Sequence, residues 1–442
     1  MEFKKSTVEE LIEQDIIEKP MDGNHGSIHP KTKDFIDVGI PFITAADIHS
    51  DKVDIEKANK LSEKDAHKLK KGFAKKGDVL LTHKASVGRT AIVNNMEYDY
   101  IILSPQVTYY RIKDTTTLLP EYLYLYFKSN YFNQIINQWA GGSTRKYIGI
   151  TAQKKLPILY PSIKNQKKIV DFIMTFEYKV QVNNKIIANL EELSQTLFKR
   201  WFVDFEFPDE NGNPYKSSGG EMVDSKLGKI PKYWKVSNLD KIASFVSRGI
   251  TPKYNENSDI QIPIINQKVN KGPRLDLQYI KYFDGQNRIK KELYAQKNDL
   301  LLNSLGQGTL GRIHLFTRKS EEFLIDQHIS IIRFDNINYS YFYYAHINTD
   351  LIQGQIDSLI SGSTGMLMLN ITKIRNLKVI LPTEELVLKY SKLVNEYFGK
   401  ITQLIYENEN LTQLRDALLP KLMSGEIDIP DDIEVNSDEL SI

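Results

Sequence analysis

No cysteine occurs among the 442 residues of this chain, which excludes a disulfide framework and any metal site built on thiolates. No apolar run approaches the roughly 18 residues that are needed to span a bilayer. Residues 1–5 are followed by acidic, helix-like sequence and not by the apolar segment of a secretory signal. We therefore expect a cytoplasmic protein that does not bind a membrane. At least two domains are expected, because one core rarely extends over so long a chain.

Motifs for catalysis are also scarce. The chain has neither the phosphate-binding pattern G-x-x-x-x-G-K-[ST] nor the zinc-protease pattern H-E-x-x-H. Gly306–Gly311 matches the dinucleotide pattern G-x-G-x-x-G, but residues 312–316 are typical of a strand where a phosphate-binding helix should begin. His25 and His29 have the spacing of metal ligands on a helix, yet their neighbours predict a loop without a third ligand. We therefore expect no catalytic, cofactor-binding or metal-binding residues in this chain.

The net charge of +2 hides an uneven distribution of charged residues. Residues 1–160 and 229–382 have an excess of lysine and arginine, whereas residues 161–228 are close to neutral and residues 383–442 are acidic. A basic segment favours a polyanionic partner such as nucleic acid, although exposed lysines that only solubilise a protein give the same pattern. Residues 431–439 predict an acidic, disordered tail.

The two halves of the chain repeat one another. A constant shift along the sequence places Asp78 on Asp299, and the matches continue to the last helical segment. Further matches are Lys76 with Lys297, Gln106 with Gln327, Ile150 with Ile371, Pro161 with Pro382, Asn189 with Asn410, and Leu193 with Leu414. Identities in one register over so long a span predict two copies of one domain type related by a pseudo-two-fold axis.

Each copy has the same order of predicted elements. Short β-rich runs, such as residues 78–81 and 299–302, precede a tyrosine-rich helical stretch at residues 120–139 and 339–360. The tyrosines could stack on nucleic-acid bases, but their helical spacing favours burial in the core of a small α+β domain. A turn and a short strand then lead into a long amphipathic helix.

The two long helices carry apolar residues at alternating steps of four and three, which predicts a coiled coil. The seam positions of the first helix are Ile169, Ile173, Phe176, Val180, Asn183, Ile187, Leu190, Ser194, Leu197 and Trp201. Those of the second are Tyr390, Val394, Tyr397, Ile401, Leu404, Asn408, Leu411, Arg415, Leu418 and Leu422. Pairing within one chain favours an antiparallel rod of roughly 55 Å that separates two recognition domains. The alternative is that each helix packs only on its own domain.

These patterns predict an α+β fold in which two small mixed α/β domains are joined by two long antiparallel coiled-coil helices. The predicted boundaries are a first domain at 1–160, a central helix at 161–206, a linker at 207–228, a second domain at 229–382, a C-terminal helix at 383–424 and an acidic tail at 425–442.

Four segments resemble one protein family, the specificity subunits of type I restriction–modification enzymes. Residues 197–208 (LFKRWFVDFEFP) resemble the end of the family's central helix, and residues 227–234 (LGKIPKYW) resemble the start of its second target-recognition domain. Residues 165–170 (NQKKIV) and 414–427 (LRDALLPKLMSGEI) resemble the start of the first long helix and the end of the second. These segments lie between residues 165 and 427, and the resemblance extends over nearly the whole chain.

The resemblance implies a non-catalytic subunit that recognises a split, asymmetric site on double-stranded DNA. It implies docking of two methyltransferase subunits and, where present, two restriction (translocase) subunits, for adenine-N6 methylation or cleavage. Cofactors would then belong to the partners: S-adenosylmethionine for methylation, and ATP with Mg²⁺ for restriction. The alternatives are a nucleotide-dependent enzyme that uses Gly306–Gly311, and a coiled-coil scaffold that does not bind DNA.

Candidate DNA contacts are polar residues in predicted loops flanked by glycine or by strands, where side chains can reach phosphates and base edges. In the first domain they are Lys84, Ser86, Arg89, Ser143, Thr144, Arg145 and Lys146. In the second they are Gln267, Lys268, Gln307, Arg312, Ser363 and Thr364. For each residue, the alternative is ordinary exposed polarity.

Overall fold

The computed structural model describes residues 2–49, 52–84, 86–94, 96–141, 146–252, 254, 260–284, 289–306, 308–361 and 367–430. Its contacts divide the chain into two compact units. Unit 1 comprises Met1–Gln181 and Asn408–Ile442, and unit 2 comprises Val182–Glu407. Within the described ranges, no helix is long and apolar enough to cross a membrane.

Unit 1 contains the strands of the first repeat and one part of each long helix. The strands are β1 (Lys4–Thr7), β2 (Met21–Asp22), β3 (Phe35–Ile36), β4 (Ile40–Ile43), β5 (Ile48–His49), β6 (Lys52–Val53), β7 (Asn59–Leu61), β8 (Phe73–Ala74), β9 (Val79–Thr82), β10 (Thr90–Ile92), β11 (Ile101–Leu103), β12 (Val107–Tyr110) and β13 (Pro157–Tyr160). The helices are α1 (Val8–Glu13), α2 (Glu63–Ala66), α3 (Pro120–Lys128), α4 (Asn130–Trp139), α5 (Ile150–Gln153) and the first part of α6 (Ile163–Phe198). The strands form sheets in the orders β10-β9-β12-β2 and β3-β7-β4-β11-β8, with the pairs β1-β13 and β5-β6 beside them.

Unit 2 contains the second repeat. Its strands are β14 (Met222–Ser225), β15 (Gly228–Pro231), β16 (Lys235–Asn238), β17 (Phe245–Arg248), β18 (Gln261–Ile265), β19 (Lys281–Asp284), β20 (Leu300–Asn303), β21 (Ile313–Leu315), β22 (Leu324–Ile325), β23 (Ile329–Arg333) and β24 (Lys378–Leu381). Its helices are α7 (Ile337–Ile347), α8 (Asp350–Leu359), α9 (Ile371–Arg375) and the first part of α10 (Glu384–Ser424). The sheets have the orders β17-β23-β20-β21 and β19-β18-β22, with the pairs β14-β15 and β16-β24.

The two units have matching topologies, which confirms the predicted internal repeat. The sheet order β2-β12-β9-β10 in unit 1 corresponds to β17-β23-β20-β21 in unit 2. The parallel pair β4-β11 corresponds to β18-β22, with Ile43 opposite Leu103 in the first and Ile265 opposite Ile325 in the second. The antiparallel pair β1-β13 likewise corresponds to β16-β24.

One of the matches between the repeats is wrong by one residue. The backbone N–H of His83 donates to the carbonyl of Gln106, and the equivalent N–H of Ser304 donates to the carbonyl of His328, each at 2.9 Å. Gln106 therefore corresponds to His328 and not to Gln327. One additional residue between β20 and β22 explains the change of register.

The tyrosine-rich stretch of each repeat forms two helices where the sequence predicted one helical segment. Ser129 is extended, and its hydroxyl accepts a hydrogen bond from the N–H of Phe132 (3.2 Å), which begins α4. Thr349 occupies the same position before α8. Tyr122 and Tyr126 are fully buried on α3, so their predicted place in the core is confirmed.

The long helices pack against one another in the predicted antiparallel sense, as the contacts within each unit show. In unit 1, Ile173 near the start of α6 shares a core with Leu422 near the end of α10. In unit 2, the ring of Phe198 at the end of α6 lies 5.6 Å from that of Tyr390 near the start of α10. Each core is thus completed by a helix that belongs to the other repeat, and the alternative of helices confined to their own domains is wrong.

The helix seam contains a buried carboxylate, Glu177, that is not one of the predicted heptad positions. Glu177 is only 9% exposed and lies next to the predicted seam residue Phe176. Its Oε1 lies 2.5 Å from Nζ of Lys128 and 3.3 Å from Nη1 of Arg415. At the start of the unit 2 seam, Nδ2 of Asn183 donates to a carboxylate oxygen of Glu407 (3.1 Å). Such polar contacts favour one register of the two helices.

The segment predicted as a linker, residues 207–228, belongs to unit 2 and packs within it. The ring of Phe207 stacks between Tyr215 (4.6 Å) and Trp234 (5.4 Å), and β14 pairs with β15. The domain, helix, linker and tail boundaries given above stay predictions.

A buried ion pair occurs at the same place in both units. Asp78 accepts two hydrogen bonds from Arg111 (2.7 and 2.8 Å), and Asp299 accepts two from Arg333 (2.7 and 2.8 Å). Both carboxylates are almost fully buried. Burial raises the pKa of each carboxyl group even with its arginine beside it. The arginine, together with the backbone N–H of Lys75 in unit 1 or Gln296 in unit 2, favours the charged form of the carboxyl group and opposes the effect of burial.

We expect Arg111→Met to reduce the free energy of unfolding of unit 1 by about 3–5 kcal/mol, because it leaves a buried carboxylate without its partner. The measurement is urea denaturation of the purified chain, with circular dichroism as the probe of unfolding. Lys113→Met is the matched control, since Lys113 pairs with Asp15 on the surface, and it should change stability by less than about 1 kcal/mol. Equal losses in both variants would contradict the role of the buried pair.

Candidate nucleic-acid interface

Several loops of unit 1 meet at one edge because of the directions of its strands. β9 and β2 run antiparallel to β12, with Thr82 opposite Val107 and Asp22 opposite Thr108. The residues after β9 and after β2 therefore lie beside the residues before β12. β4 runs parallel to β11, which leads directly into β12, and the N–H of Ser104 donates to the carbonyl at the end of β4 (2.8 Å). The loops that follow four strands thus converge.

We name this region the loop edge of unit 1. It consists of residues 23–25, 44–49, 83–84, 86–89, 104–106 and 146–148. The last segment joins the others through a bridge between Tyr147 and Lys84 and a hydrogen bond from the N–H of Ile148 to the carbonyl of His83 (3.0 Å).

The same construction gives the loop edge of unit 2, which consists of residues 249–251, 266–272, 304–306, 308–312, 326–328 and 367–369. The N–H of Asp326 donates to the carbonyl of Ile265 (3.0 Å), as Ser104 does to Ile43 in unit 1. A bridge between Leu305 and Met368 replaces that between Lys84 and Tyr147.

The described candidates of the first repeat all lie on the loop edge, but their side chains have different roles. Lys84 is exposed. Lys146 donates to the side-chain oxygen of Asn137 (2.9 Å). The carbonyl of Ser86 accepts from the hydroxyl of Thr82, which stabilises the turn after β9. Lys84 and Lys146 are both exposed, and their contact with phosphates stays a prediction.

Arg89 contacts its own unit. Its guanidinium donates to the carbonyls of Ala45 (3.2 Å) and Ile48 (3.4 Å), and so links the loop after β9 to the loop after β4. Arg89 therefore helps to position the loop edge of unit 1 while its side chain stays exposed, and its contact with DNA stays a prediction.

In the second repeat, Gln267 and Lys268 follow β18, and Lys268 is exposed. The side chain of Gln267 lies against Gly306, where a Cβ would be 3.7 Å from its Cγ. Arg312 donates to the carbonyl of Gly308 (2.9 Å) and closes the glycine-rich loop. The remaining candidates lie outside the described residues: Ser143, Thr144, Arg145, Gln307, Ser363 and Thr364.

The glycine-rich segment Gly306–Gly311 does not form a dinucleotide site. It connects β20 to β21, which pair antiparallel with Leu302 opposite Ile313. The residues after it are therefore a strand, as predicted, and offer no helix N-terminus to a pyrophosphate. The alternative of a nucleotide-dependent enzyme that uses this loop is wrong.

Sequence reasoning missed a pair of side chains on each loop edge. In unit 1, Nε2 of His25 lies 2.7 Å from Oδ2 of Asp22. In unit 2, Nδ1 of His328 lies 2.7 Å from Oδ1 of Asp326, and the hydroxyl of Tyr254 donates to the other oxygen of that carboxylate (2.9 Å). The available signal was an aspartate at the end of a short strand with a histidine two or three residues later.

Two buried groups at the loop edge of unit 1, Asp22 and His83, have shifted pKa values. Burial raises the pKa of the Asp22 carboxyl, but its hydrogen bonds to Lys71 and His25 and their charges outweigh burial and lower the pKa below its usual value. Burial lowers the pKa of His83, whose ring nitrogens contact the carbonyls of Ile148 and Pro105. His83 is thus a buried residue whose ring is held beneath the loops.

The family comparison agrees with this duplicated arrangement. The model of the type I restriction modification DNA specificity domain matches residues 13–192 and, a second time, residues 231–404. These two matches extend over more than half of the chain. The chain belongs to this family. It is a DNA-specificity subunit of a type I restriction–modification system and, by itself, non-catalytic.

Full-length relatives show similarity along most of the specificity subunit. This chain is 27% identical over 403 residues to the type I restriction enzyme MjaIX specificity subunit of Methanocaldococcus jannaschii. The matched residues cover 90% of this chain and 89% of the relative. This chain is 25% identical over 412 residues to the HindI specificity subunit of Haemophilus influenzae, which covers 80% of this chain and 87% of the relative. The crystal structure of the S subunit from M. genitalium has a similar fold, with a TM-score of 0.54, 16% identity and coverage of 98% and 97%.

The family assignment accounts for the bulk features of the chain. It explains the duplicated topology and the two long helices, and it places the subunit in a type I restriction–modification complex. The alternative of a scaffold without a role in DNA recognition is not consistent with this assignment.

We expect Lys84→Ala and Lys268→Ala each to weaken duplex binding by the assembled complex uniformly across sequences, because exposed lysines on the loop edges would contact phosphates. Each variant should lower the slope of log affinity against log salt by about one. The measurement is fluorescence anisotropy with labelled duplexes at several salt concentrations. Lys64→Ala, an exposed residue of α2 away from the loop edge, is the control, and a slope equal to that of the control would contradict the prediction.

Proposed function

We propose that this specificity subunit recognises a bipartite, asymmetric site on double-stranded DNA, with one half-site for each unit. The observation that carries the proposal is the duplicated loop edge, which places equivalent loops at equivalent strand ends in two copies of the family's domain. Two recognition surfaces in one chain call for two half-sites.

The different chemistry of the two loop edges supports asymmetry. The loop after β4 has a buried Ala45 and an exposed Ala46, whereas the equivalent loop after β18 has a half-buried Gln267 and an exposed Lys268. Amide and ammonium groups can hydrogen-bond base edges and phosphates, but a methyl group offers only an apolar contact to thymine. Two surfaces that differ at equivalent positions favour two different half-site sequences.

Two copies of a methyltransferase subunit are proposed to dock on the long helices. Leu193 on α6 and Leu414 on α10 occupy equivalent positions, and their side chains are 54% and 47% exposed. One helical turn earlier, exposed asparagines, Asn189 and Asn410, also match. Single exposed leucines are common, but the same exposed leucine beside the same asparagine in both repeats supports one partner that binds twice.

The methyltransferase and restriction subunits are proposed to carry out the chemistry of the complex. The complex is proposed to act in the cytoplasm. The methyltransferase subunits would transfer a methyl group from S-adenosylmethionine to adenine N6, and restriction subunits, where present, would use ATP with Mg²⁺. This proposal rests on the family assignment and on the resemblance of the helix ends, residues 197–208 and 414–427, to the family pattern. No cofactor is proposed to bind this chain itself.

Replacement of residues 1–160 with the first domain of a relative that has a different specificity should change one half of the methylated site and leave the other half unchanged. The reason is that each loop edge is built within one unit. The measurement is methylome sequencing of a host that expresses the hybrid with its methyltransferase subunits. A change in both half-sites would show that the domains do not recognise DNA independently.

Leu193→Asp and Leu414→Asp should each remove one of two methyltransferase subunits from the complex, because a charge in an apolar contact opposes docking. Mass photometry of the purified complex should then show one bound subunit in each single variant. Leu388→Asp is the matched control: this exposed leucine of α10 has no leucine at the equivalent position of α6. Two bound subunits in all three variants would contradict the proposed docking face.

A further inference from the structure

We propose that His25 and His328 are specificity-determining residues, each held by a buried aspartate so that its ring contacts a base edge of one half-site. This inference rests on the proposed function, since it concerns which residues of the loop edges discriminate between bases. It arises from the pairs Asp22–His25 and Asp326–His328, in each of which a buried carboxylate holds an accessible ring.

Both pairs lie beside the same strand crossing of their units. In unit 1, Gly23 lies so close to β11 that a Cβ would be 1.8 Å from the carbonyl oxygen of Leu103. In unit 2, a Cβ on Gly249 would be 2.0 Å from the carbonyl oxygen of Ile325. Asp22 directly precedes the first glycine, and residue 326 directly follows the strand at the second crossing. The two pairs therefore flank equivalent strand crossings.

The pairs are nevertheless built from residues that are not equivalent in the repeat. Asp326 corresponds to Ser104, because both N–H groups donate to the end of the parallel neighbour strand. His328 corresponds to Gln106, and Asp22 precedes its glycine where unit 2 has Arg248. A structural requirement of the fold would place the same residue at equivalent positions. The same arrangement made from different residues favours a shared role at the surface.

In each pair the carboxylate is hidden and the imidazole is accessible. Asp22 and Asp326 are 5% and 1% exposed at the side chain, whereas His25 and His328 are 51% and 29% exposed. DNA at the loop edge would therefore meet the ring and not the negative charge. Lys71 pairs with Asp22 from the other side and further offsets its charge.

The hydrogen bond to the carboxylate fixes which ring nitrogen faces outward. In His328, Nδ1 contacts Asp326, which leaves Nε2 for a partner. In His25, Nε2 contacts Asp22, which leaves Nδ1. Asp326 is itself held by the hydroxyl of Tyr254 and by the N–H of His328 (2.8 Å). A ring with a fixed orientation loses little freedom on binding and presents one hydrogen-bonding atom to a base edge.

The test uses the full-length subunit in its assembled methyltransferase, with methylation of a duplex library that varies each position of the site. We expect His328→Ala to lower discrimination about tenfold at one base pair of the half-site assigned to unit 2. His25→Ala should do the same at one base pair of the other half-site. Each variant should leave the second half-site unchanged, so each variant is a control for the other.

Two further variants separate orientation from folding. Asp326→Asn keeps an oxygen acceptor of the same shape but removes the charge, and it should relax the same base pair as His328→Ala to a smaller extent. His67→Ala removes an exposed histidine at the end of α2, outside the loop edge, and should change neither half-site. Thermal unfolding of each variant establishes that it is folded.

The outcomes distinguish this inference from the proposed function. Unchanged discrimination in both histidine variants would overturn the inference and leave the bipartite recognition intact. An equal fall in methylation of all sequences by a folded variant would also overturn it, because that result indicates a phosphate contact or a structural role. Failure of the wild-type complex to methylate a bipartite site would overturn the proposed function, and the inference with it.

Discussion

The packing of the long helices is the constraint on which each unit depends. Neither repeat completes a core with its own chain segment alone: Leu419, Leu422 and Met423 of α10 are buried among residues of the first repeat. In the same way, Phe198, Trp201 and Phe202 at the end of the first repeat are buried in unit 2. Removal of either helix would expose the core of both units. Both units would then lose stability, because apolar burial supplies most of the stabilising free energy of a small domain.

The seam between the exchanged helices also contains polar residues. Lys128 on α3, Glu177 on α6 and Arg415 on α10 meet in unit 1, so one cluster links the recognition domain to both helices. The equivalent positions of Glu177 and Arg415 in unit 2 are Phe398 and Ser194, which are uncharged. A buried ion cluster adds little net stability but penalises other registers, in which its charges lack partners. The two ends of the helix pair are therefore chemically distinct.

The loop edges differ in chemistry between the two units, although both are built on the same frame. The buried pairs Asp78–Arg111 and Asp299–Arg333 fix equivalent strands in both units, while the loops at the strand ends differ in sequence. A rigid frame with variable loops allows half-sites to change without loss of the fold. Arg89 links two loops of this edge, since its guanidinium donates to backbone carbonyls of its own unit.

The sequence by itself determined the repeat, the strand at residues 313–315, the antiparallel helix seam and the family, because periodic burial and repeated identities are local or linear signals. Only the tertiary structure decided which loops share an edge, since that depends on strand directions and crossings between distant segments. It also decided that Gln106 corresponds to His328, and that Glu177 is buried among cations. The aspartate–histidine pairs escaped detection for the same reason. Their significance lies in a common position beside Gly23 and Gly249, which no linear spacing records.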